Sequence, residues 1–187
     1  MTTFNHYLAP RMATIRVRGF TLLELMVTLT VAGVLLSVGV PSFFDVIRNS
    51  RAAANANELV TALTIARSEA IRRGARVSIC RSSDGLACGG TWANGWIVFR
   101  DDAATDIAAP MVGEVLRVWP APSGNTAVST TPAGMAWVRF LPRGNVRTAG
   151  AMPVVYNMSV EGCSGLQARN IELNTVGRTS VARVACP

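Results

Sequence analysis

Between Phe20 and Val40 run 21 residues that carry a single charge, Glu24. At 1.5 Å of rise per residue they make a helix of about 31 Å, against a bilayer hydrocarbon core of about 30 Å, so one helix spans a membrane here. Arg11, Arg16 and Arg18 stand directly upstream, and residues 1–19 hold no acid. The positive-inside rule then keeps the N-terminus in the cytoplasm and sends everything after Pro41 outward. A secretory signal peptide shares the basic start, but its apolar core is shorter, about 7–15 residues, and ends in a small-x-small cleavage site. Here the run ends in Pro41-Ser42-Phe43-Phe44. Glu24 is the anomaly: an unpaired carboxylate costs about 2.5–3.5 kcal/mol at the centre of a membrane helix and less near the interface. Either it snorkels to the headgroups or it has a partner.

Its neighbours favour a partner. Arg18-Gly19 followed by Phe20-Thr21-Leu22-Leu23-Glu24 and a hydrophobic helix resembles the class III signal of type IV pilins and pseudopilins. The resemblance implies that a prepilin peptidase cuts between Gly19 and Phe20, that Phe20 becomes the N-methylated first residue, and that Glu24 is the fifth-position glutamate. It also supplies the partner, the α-amino group of a neighbouring subunit's Phe20, paired with Glu24 inside an apolar helix bundle where either charge alone is costly. Pro41 matches the helix-bending proline of these proteins. The implied location is the bacterial inner membrane, single-pass, with the N-terminus cytoplasmic and the C-terminal domain periplasmic, then a pilus or pseudopilus. Implied partners are other pilins or pseudopilins through the N-terminal helix, the peptidase/methylase and the inner-membrane assembly platform.

Removal of 19 residues leaves 168, and removing the membrane helix leaves one domain of ordinary size, large enough for a core. The 18 basic residues are all arginine, three of them in the leader; against 11 acids the mature chain carries 15 − 11 = +4 before its new N-terminus. That is a mild bias towards polyanions. Cys80, Cys88, Cys163 and Cys186 lie on the exported side, where disulfides persist. Order along the chain favours Cys80–Cys88 and Cys163–Cys186, although four cysteines allow three pairings. Zinc is the rival reading, set against the lack of any Cys-x-x-Cys and the placing of the only histidine, His6, in the leader.

In chain order, residues 1–19 form a leader, with Met12 as an alternative start that leaves the mature protein unchanged. Residues 20–41 form the transmembrane and assembly helix, and residues 42–76 its amphipathic continuation, resuming after Pro41. In that continuation Ala52, Ala56, Leu59, Leu63, Ala66 and Ala70 recur at spacings of four and three, the stripe of a helix with one buried face. Core packing is the default reading and an assembly face the alternative. Arg48, Arg51, Arg67, Arg72 and Arg73 mark the opposite side. From residue 77 the period changes to strands: Val77–Arg81, Trp96–Arg100, Glu114–Trp119, Trp137–Leu141, Val154–Val160, Asn170–Asn174 and Ser180–Val184, separated by turn residues. Residues 101–113 and 120–135, rich in Ala, Pro, Gly, Thr and Asp, read as exposed loops. Trp96, Trp119 and Trp137 fall in or beside strands and read as core or sheet residues. The expected fold is α+β: a long helix packed on an antiparallel sheet or small β-sandwich-like domain, 77–187.

The turn Phe140-Leu141-Pro142-Arg143-Gly144-Asn145, together with Arg169-Asn170-Ile171-Glu172-Leu173-Asn174-Thr175-Val176-Gly177-Arg178, is similar to the GspH/FimT family of minor pilins and pseudopilins. This implies a low-copy subunit near the tip of a type IV pilus or of a type II secretion pseudopilus. Enzymatic chemistry has little to draw on. With no histidine after residue 19 and no lysine anywhere, Ser-His-Asp, Cys-His, Walker A and Schiff-base chemistry are excluded. Asp101, Asp102 and Asp106 lack the spacing of a calcium loop. No cofactor and no metal is expected. The FimT branch is implicated in DNA uptake through a basic C-terminal region. Here residues 139–187 hold Arg139, Arg143, Arg147, Arg169, Arg178 and Arg183 against Glu161 and Glu172, a local 6 − 2 = +4. Arg143 and Arg147 in one turn, set beside Arg178 and Arg183 in the last hairpin, would contact phosphates without reading bases.

Overall fold

A computed structural model of the chain describes residues 19–187. The leader readings that rest on His6, Arg11, Met12, Arg16 and Arg18 lie outside the described residues. The chain divides into two compact units at Val40/Pro41.

Helix α1 (Leu22–Arg73) is 52 residues long. Thr21 caps it, its hydroxyl oxygen accepting from the Glu24 amide at 3.2 Å, which satisfies one of the free donors of the first turn. Pro41 has no amide to offer the Ser37 carbonyl, yet the helix continues through it. The expected resumption after Pro41 is therefore not a fresh start. The other end is a Schellman closure. Gly74 takes the left-handed conformation (φ 59°), its amide bonds the Ile71 carbonyl at 3.4 Å, and the Ala75 amide bonds the Ala70 carbonyl at 3.3 Å. The helix thus stops three residues short of the expected 76 and turns directly into the first strand.

All strand pairing in the second unit is antiparallel. One sheet has five strands, β1 (Val77–Arg81), β2 (Gly95–Asp101), β3 (Val112–Pro120), β5 (Trp137–Phe140) and β6 (Val146–Arg147), in the order β3-β2-β1-β5-β6. The other has four, β4 (Ala127–Thr131), β7 (Val154–Ser159), β8 (Ala168–Leu173) and β9 (Thr179–Val184), in the order β4-β7-β8-β9. The seven expected strands are present. β4 and β6 are additions, and β4 overturns the reading of 120–135 as loop throughout. Its Ala-Val-Ser-Thr-Thr lacks an apolar alternation, because it is an edge strand that pairs only with β7.

One core cluster joins the helix to a face of each sheet. Leu59, Leu63, Ala56, Ala66 and Ala70 pack with Val77, Ile79, Trp96, Val98 and Phe140 of the first sheet and with Tyr156, Met158, Ile171 and Leu173 of the second. All six residues of the stripe are buried, none more than 2% exposed, so the stripe is spent on the protein's own core. Cys80, Ile97, Phe99 and Trp137 form a second cluster on the other face of the first sheet, which explains why β2 is apolar on both faces. The disulfides join Cys80 to Cys88 and Cys163 to Cys186.

Leu63→Ala is expected to cost about 2–5 kcal/mol, through lost burial and a residual cavity. Chemical denaturation of the full chain in detergent checks this, with Leu36→Ala, whose side chain is exposed, as the control that leaves the domain's midpoint unmoved.

Candidate functional sites

The first candidate site is the apolar start of α1. Every side chain described from Phe20 to Ser37 is exposed, including Phe20 at 79% and Leu22 at 76%. This is the one helix among the described residues long and apolar enough to cross a membrane. Glu24 sits in its first turn, where the helix dipole favours a negative charge by about 0.3–1 kcal/mol. That is less than the cost of a bare carboxylate in hydrocarbon, so the cap reduces the demand for a partner without removing it. The Thr-x-x-Glu spacing of a helix start was legible in the sequence, but Thr21 was not singled out there.

The second feature is a buried ion pair. Arg139, fully buried on β5, donates from Nε to Asp101 at 2.7 Å and from its terminal nitrogens to the Thr105 and Ala108 carbonyls at 2.9 and 3.0 Å. Asp101 in turn accepts the Ser78 hydroxyl at 2.5 Å and the Ala103 and Met111 amides at 3.0 Å each. Two corrections follow. The segment 101–113 is not simply an exposed loop, because its backbone is folded over this pair and Ala103 is buried beneath it. Arg139 is not part of any basic surface, because Asp101 neutralises it away from solvent.

The remaining C-terminal arginines fall into two groups. Gly144 and Gly177 hold their turns at φ 79° and 78°, and a Cβ on Gly177 would collide with the Gly144 carbonyl oxygen. The Val146 amide bonds the Thr175 carbonyl at 2.9 Å. The turns that end the two segments on which the GspH/FimT resemblance rests thus pack on each other, with Arg67 of α1 lying across both. Exposed Arg143 and Arg178 flank these glycines, and the buried Nε of Arg67 has no hydrogen-bond partner among the described residues. Arg147 is exposed on β6.

Arg183 is elsewhere. It pairs across the last hairpin with Arg169 and bonds Asn49 at 3.1 Å, and Asn49 lies 18 residues before Arg67, about 27 Å of helix. Arg169 is only 4% exposed, a second subtraction from the expected basic surface. Burial lowers its pKa, and the neighbouring Arg183 charge lowers it further. Arg143, Arg147, Arg169, Arg178 and Arg183 make no ion pair among the described residues, whereas the arginines at the end of α1 do. Glu69 bridges Arg72 and Arg73, whose hydrogen bonds, that from Arg72 foremost, hold its carboxyl below the usual range.

A capped apolar helix exposed over its first turns, then buried through an alanine-leucine stripe against two antiparallel sheets, defines a pilin-like subunit. Residues 55–177 match the family described as type II transport protein GspH, and residues 15–40 match the prokaryotic N-terminal methylation motif. The chain belongs to the GspH family, and it is a minor pilin or pseudopilin. Membership implies association with other pilins and prepilin processing. No curated protein matches the chain by sequence. Among solved structures it is similar in fold to the type IV minor pilin FimU of Pseudomonas aeruginosa. In one crystal form identity is 20%, over 71% of this chain and 89% of FimU, with a TM-score of 0.53. In a second form identity is 22%, over 70% and 91%, with a TM-score of 0.50. The minor pseudopilin EpsH of the Vibrio cholerae type 2 secretion system is 13% identical over 71% of this chain and 97% of EpsH, at a TM-score of 0.47.

Asp101→Asn leaves Arg139 charged and buried without its counter-ion, which is expected to cost about 3–5 kcal/mol. Thermal melting followed by circular dichroism reads the loss. The same change at Asp102, exposed and paired to Arg100, is expected to shift the midpoint little.

Proposed function

We propose that the chain is a minor type IV pilin, carried in the bacterial inner membrane with its N-terminus cytoplasmic and its β-rich domain periplasmic. The observation that carries this reading is the uncovered apolar start of α1 with Glu24 in its first turn. Prepilin peptidase cuts between Gly19 and Phe20 and methylates Phe20. The assembly platform then moves the subunit in low copy into a filament, near its tip. There the apolar segment is covered by the helices of other pilins, and Glu24 meets the α-amino group of a neighbouring Phe20. Both charges leave water only as a pair. A type II secretion pseudopilin is the alternative; it would use the same segment in a different filament.

Glu24→Ala is expected to leave membrane insertion and cleavage intact while lowering the amount of this subunit in sheared filaments at least tenfold. Immunoblots of sheared and membrane fractions, with mass spectrometry of the mature N-terminus, measure both quantities. Parental incorporation of the variant, or a mature chain that retains residues 1–19, would defeat the reading.

The paired glycine turns favour a second role, non-specific contact with DNA phosphates during uptake. Arg143 and Arg178 are exposed, free of ion pairs among the described residues and carried on turns packed against each other. Guanidinium groups so placed bind backbone and leave base sequence unread. The full chain in detergent is expected to bind duplex DNA weakly, with affinity falling steeply as salt rises. Arg143→Ala with Arg178→Ala should reduce the slope of log affinity against log salt by about 2. An unchanged slope in fluorescence anisotropy, or no binding at low salt, removes this role.

A further inference from the structure

We infer that Arg183, which converges with buried Arg169 on Asn49, forms a binding site for the phosphate of an anionic phospholipid headgroup. Buried charges are normally paired, and an arginine removed from water without a carboxylate keeps a large unmet demand for an anion. Arg169 is in that position. One terminal nitrogen is held by the carbonyls of Leu166, Gln167 and Ala168 at 3.4, 2.9 and 3.0 Å, and the other donates to Asn49 Oδ1 at 2.5 Å. Arg183 donates to the same amide oxygen at 3.1 Å. A neutral oxygen serves two cations, and neither guanidinium has an acid among the described residues. The only carboxylate in the adjoining cleft, Asp45, is engaged by Arg48 at 3.4 Å, Ser164 at 3.4 Å and Gln167 at 3.3 Å.

The site is built rather than incidental. The Cys163–Cys186 disulfide and the bond from the Cys186 amide to the Gly165 carbonyl at 3.0 Å fix the strand end that carries Arg183 against the 164–167 loop. Arg183 and Asn49 border a cleft of 450 Å³ with Ser42, Asp45 and Ser164. Arg183 is the guanidinium that reaches this cleft, where it can give a phosphodiester oxygen a charge-assisted bond, and Arg169, buried behind Asn49, adds a second charge without a counter-ion.

Position along the helix points to a lipid as the source. Asn49 is eight residues past Pro41, about 12 Å of helix, and Phe43, Phe44 and Val46 between them are 64%, 52% and 62% exposed. An apolar collar followed by unpaired arginine is the order in which a chain leaving a bilayer meets acyl chains and then headgroups. The inference rests on reading Phe20–Val40 as a membrane span, so the test separates the two.

The full chain is floated with phosphatidylcholine vesicles, then titrated in detergent with phosphatidylglycerol or phosphatidylcholine and read by native mass spectrometry. Flotation is expected, together with retention of phosphatidylglycerol well above phosphatidylcholine. Arg183→Gln should lower phosphatidylglycerol occupancy about tenfold, the loss of one charged hydrogen bond. Arg183→Lys should recover part of it. Arg117→Gln, which removes an equal charge from exposed β3, should not change it. Equal retention of both lipids, or equal loss from the Arg183 and Arg117 variants, overturns the site while leaving the span standing. Displacement of the lipid by millimolar inorganic phosphate assigns the site to free phosphate and also overturns it. A chain that does not float overturns the span itself.

Discussion

The alanine-leucine face of α1 is the constraint from which the domain is built. With Ala at 52, 56, 62, 66 and 70 the backbone can lie close to two sheets at once, and Leu59 and Leu63 fill the space between them. Larger residues at the alanine positions would push the sheets away and open the core, since interiors are packed to near-crystalline density. Upstream, the same helix has a different chemistry on its surface. From Phe20 to Ser37 it presents apolar side chains on all sides, the composition of a segment whose neighbour is not its own chain. A single element therefore serves two solvents, and only its second part is satisfied by folding.

The Arg139–Asp101 pair plays a comparable part on the far face of the first sheet. That face carries Cys80, Ile97, Phe99 and Trp137 and needs a cover, yet the large apolar side chains of the 101–111 segment, Ile107 and Met111, are 69% and 59% exposed, so hydrophobic burial alone does not hold it down. The ion pair provides attachment points instead. Asp101 gathers amides from the segment and Arg139 gathers carbonyls, so the backbone is tied down by polar bonds over an apolar floor. Arg76 adds to this through the Ala103 carbonyl at 2.6 Å and Asp106 at 3.1 Å. A fully satisfied network of this kind fixes one arrangement and makes removal of any one member costly.

What the sequence disclosed follows from the same physics. The membrane-length run, the stripe and strands such as Val77–Arg81 were legible because hydrophobic period reports burial on one face. β4 was not, because an edge strand of small polar residues has no such period. Nor were the fates of Arg139 and Arg169. An arginine in a sequence looks the same whether it faces water or lies against a carboxylate thirty-eight residues away, as Arg139 does with Asp101. Counting charges over residues 139–187 therefore overstated the exposed basic surface by two arginines. Arg143 lies in a turn as read, whereas Arg147 falls on β6, and the packing of the two glycine turns against each other brings together residues more than thirty apart that no local pattern links.

Among the arginines without an acidic partner in the described residues, two groups lie beside the second part of α1, Arg169 and Arg183 at Asn49 and Arg143 and Arg178 at Arg67, positions about 27 Å apart along the helix. On the helix itself Arg48 pairs with Asp45, and Arg72 and Arg73 share Glu69, whereas Arg51 and Arg67 have no acidic partner among the described residues. The two groups differ in exposure: Arg169 is buried behind Asn49 with Arg183 exposed beside it, while Arg143 and Arg178 both stand exposed on turns. Because that separation exceeds a Debye length of about 8–10 Å at physiological salt, the charges of one group are largely screened from those of the other.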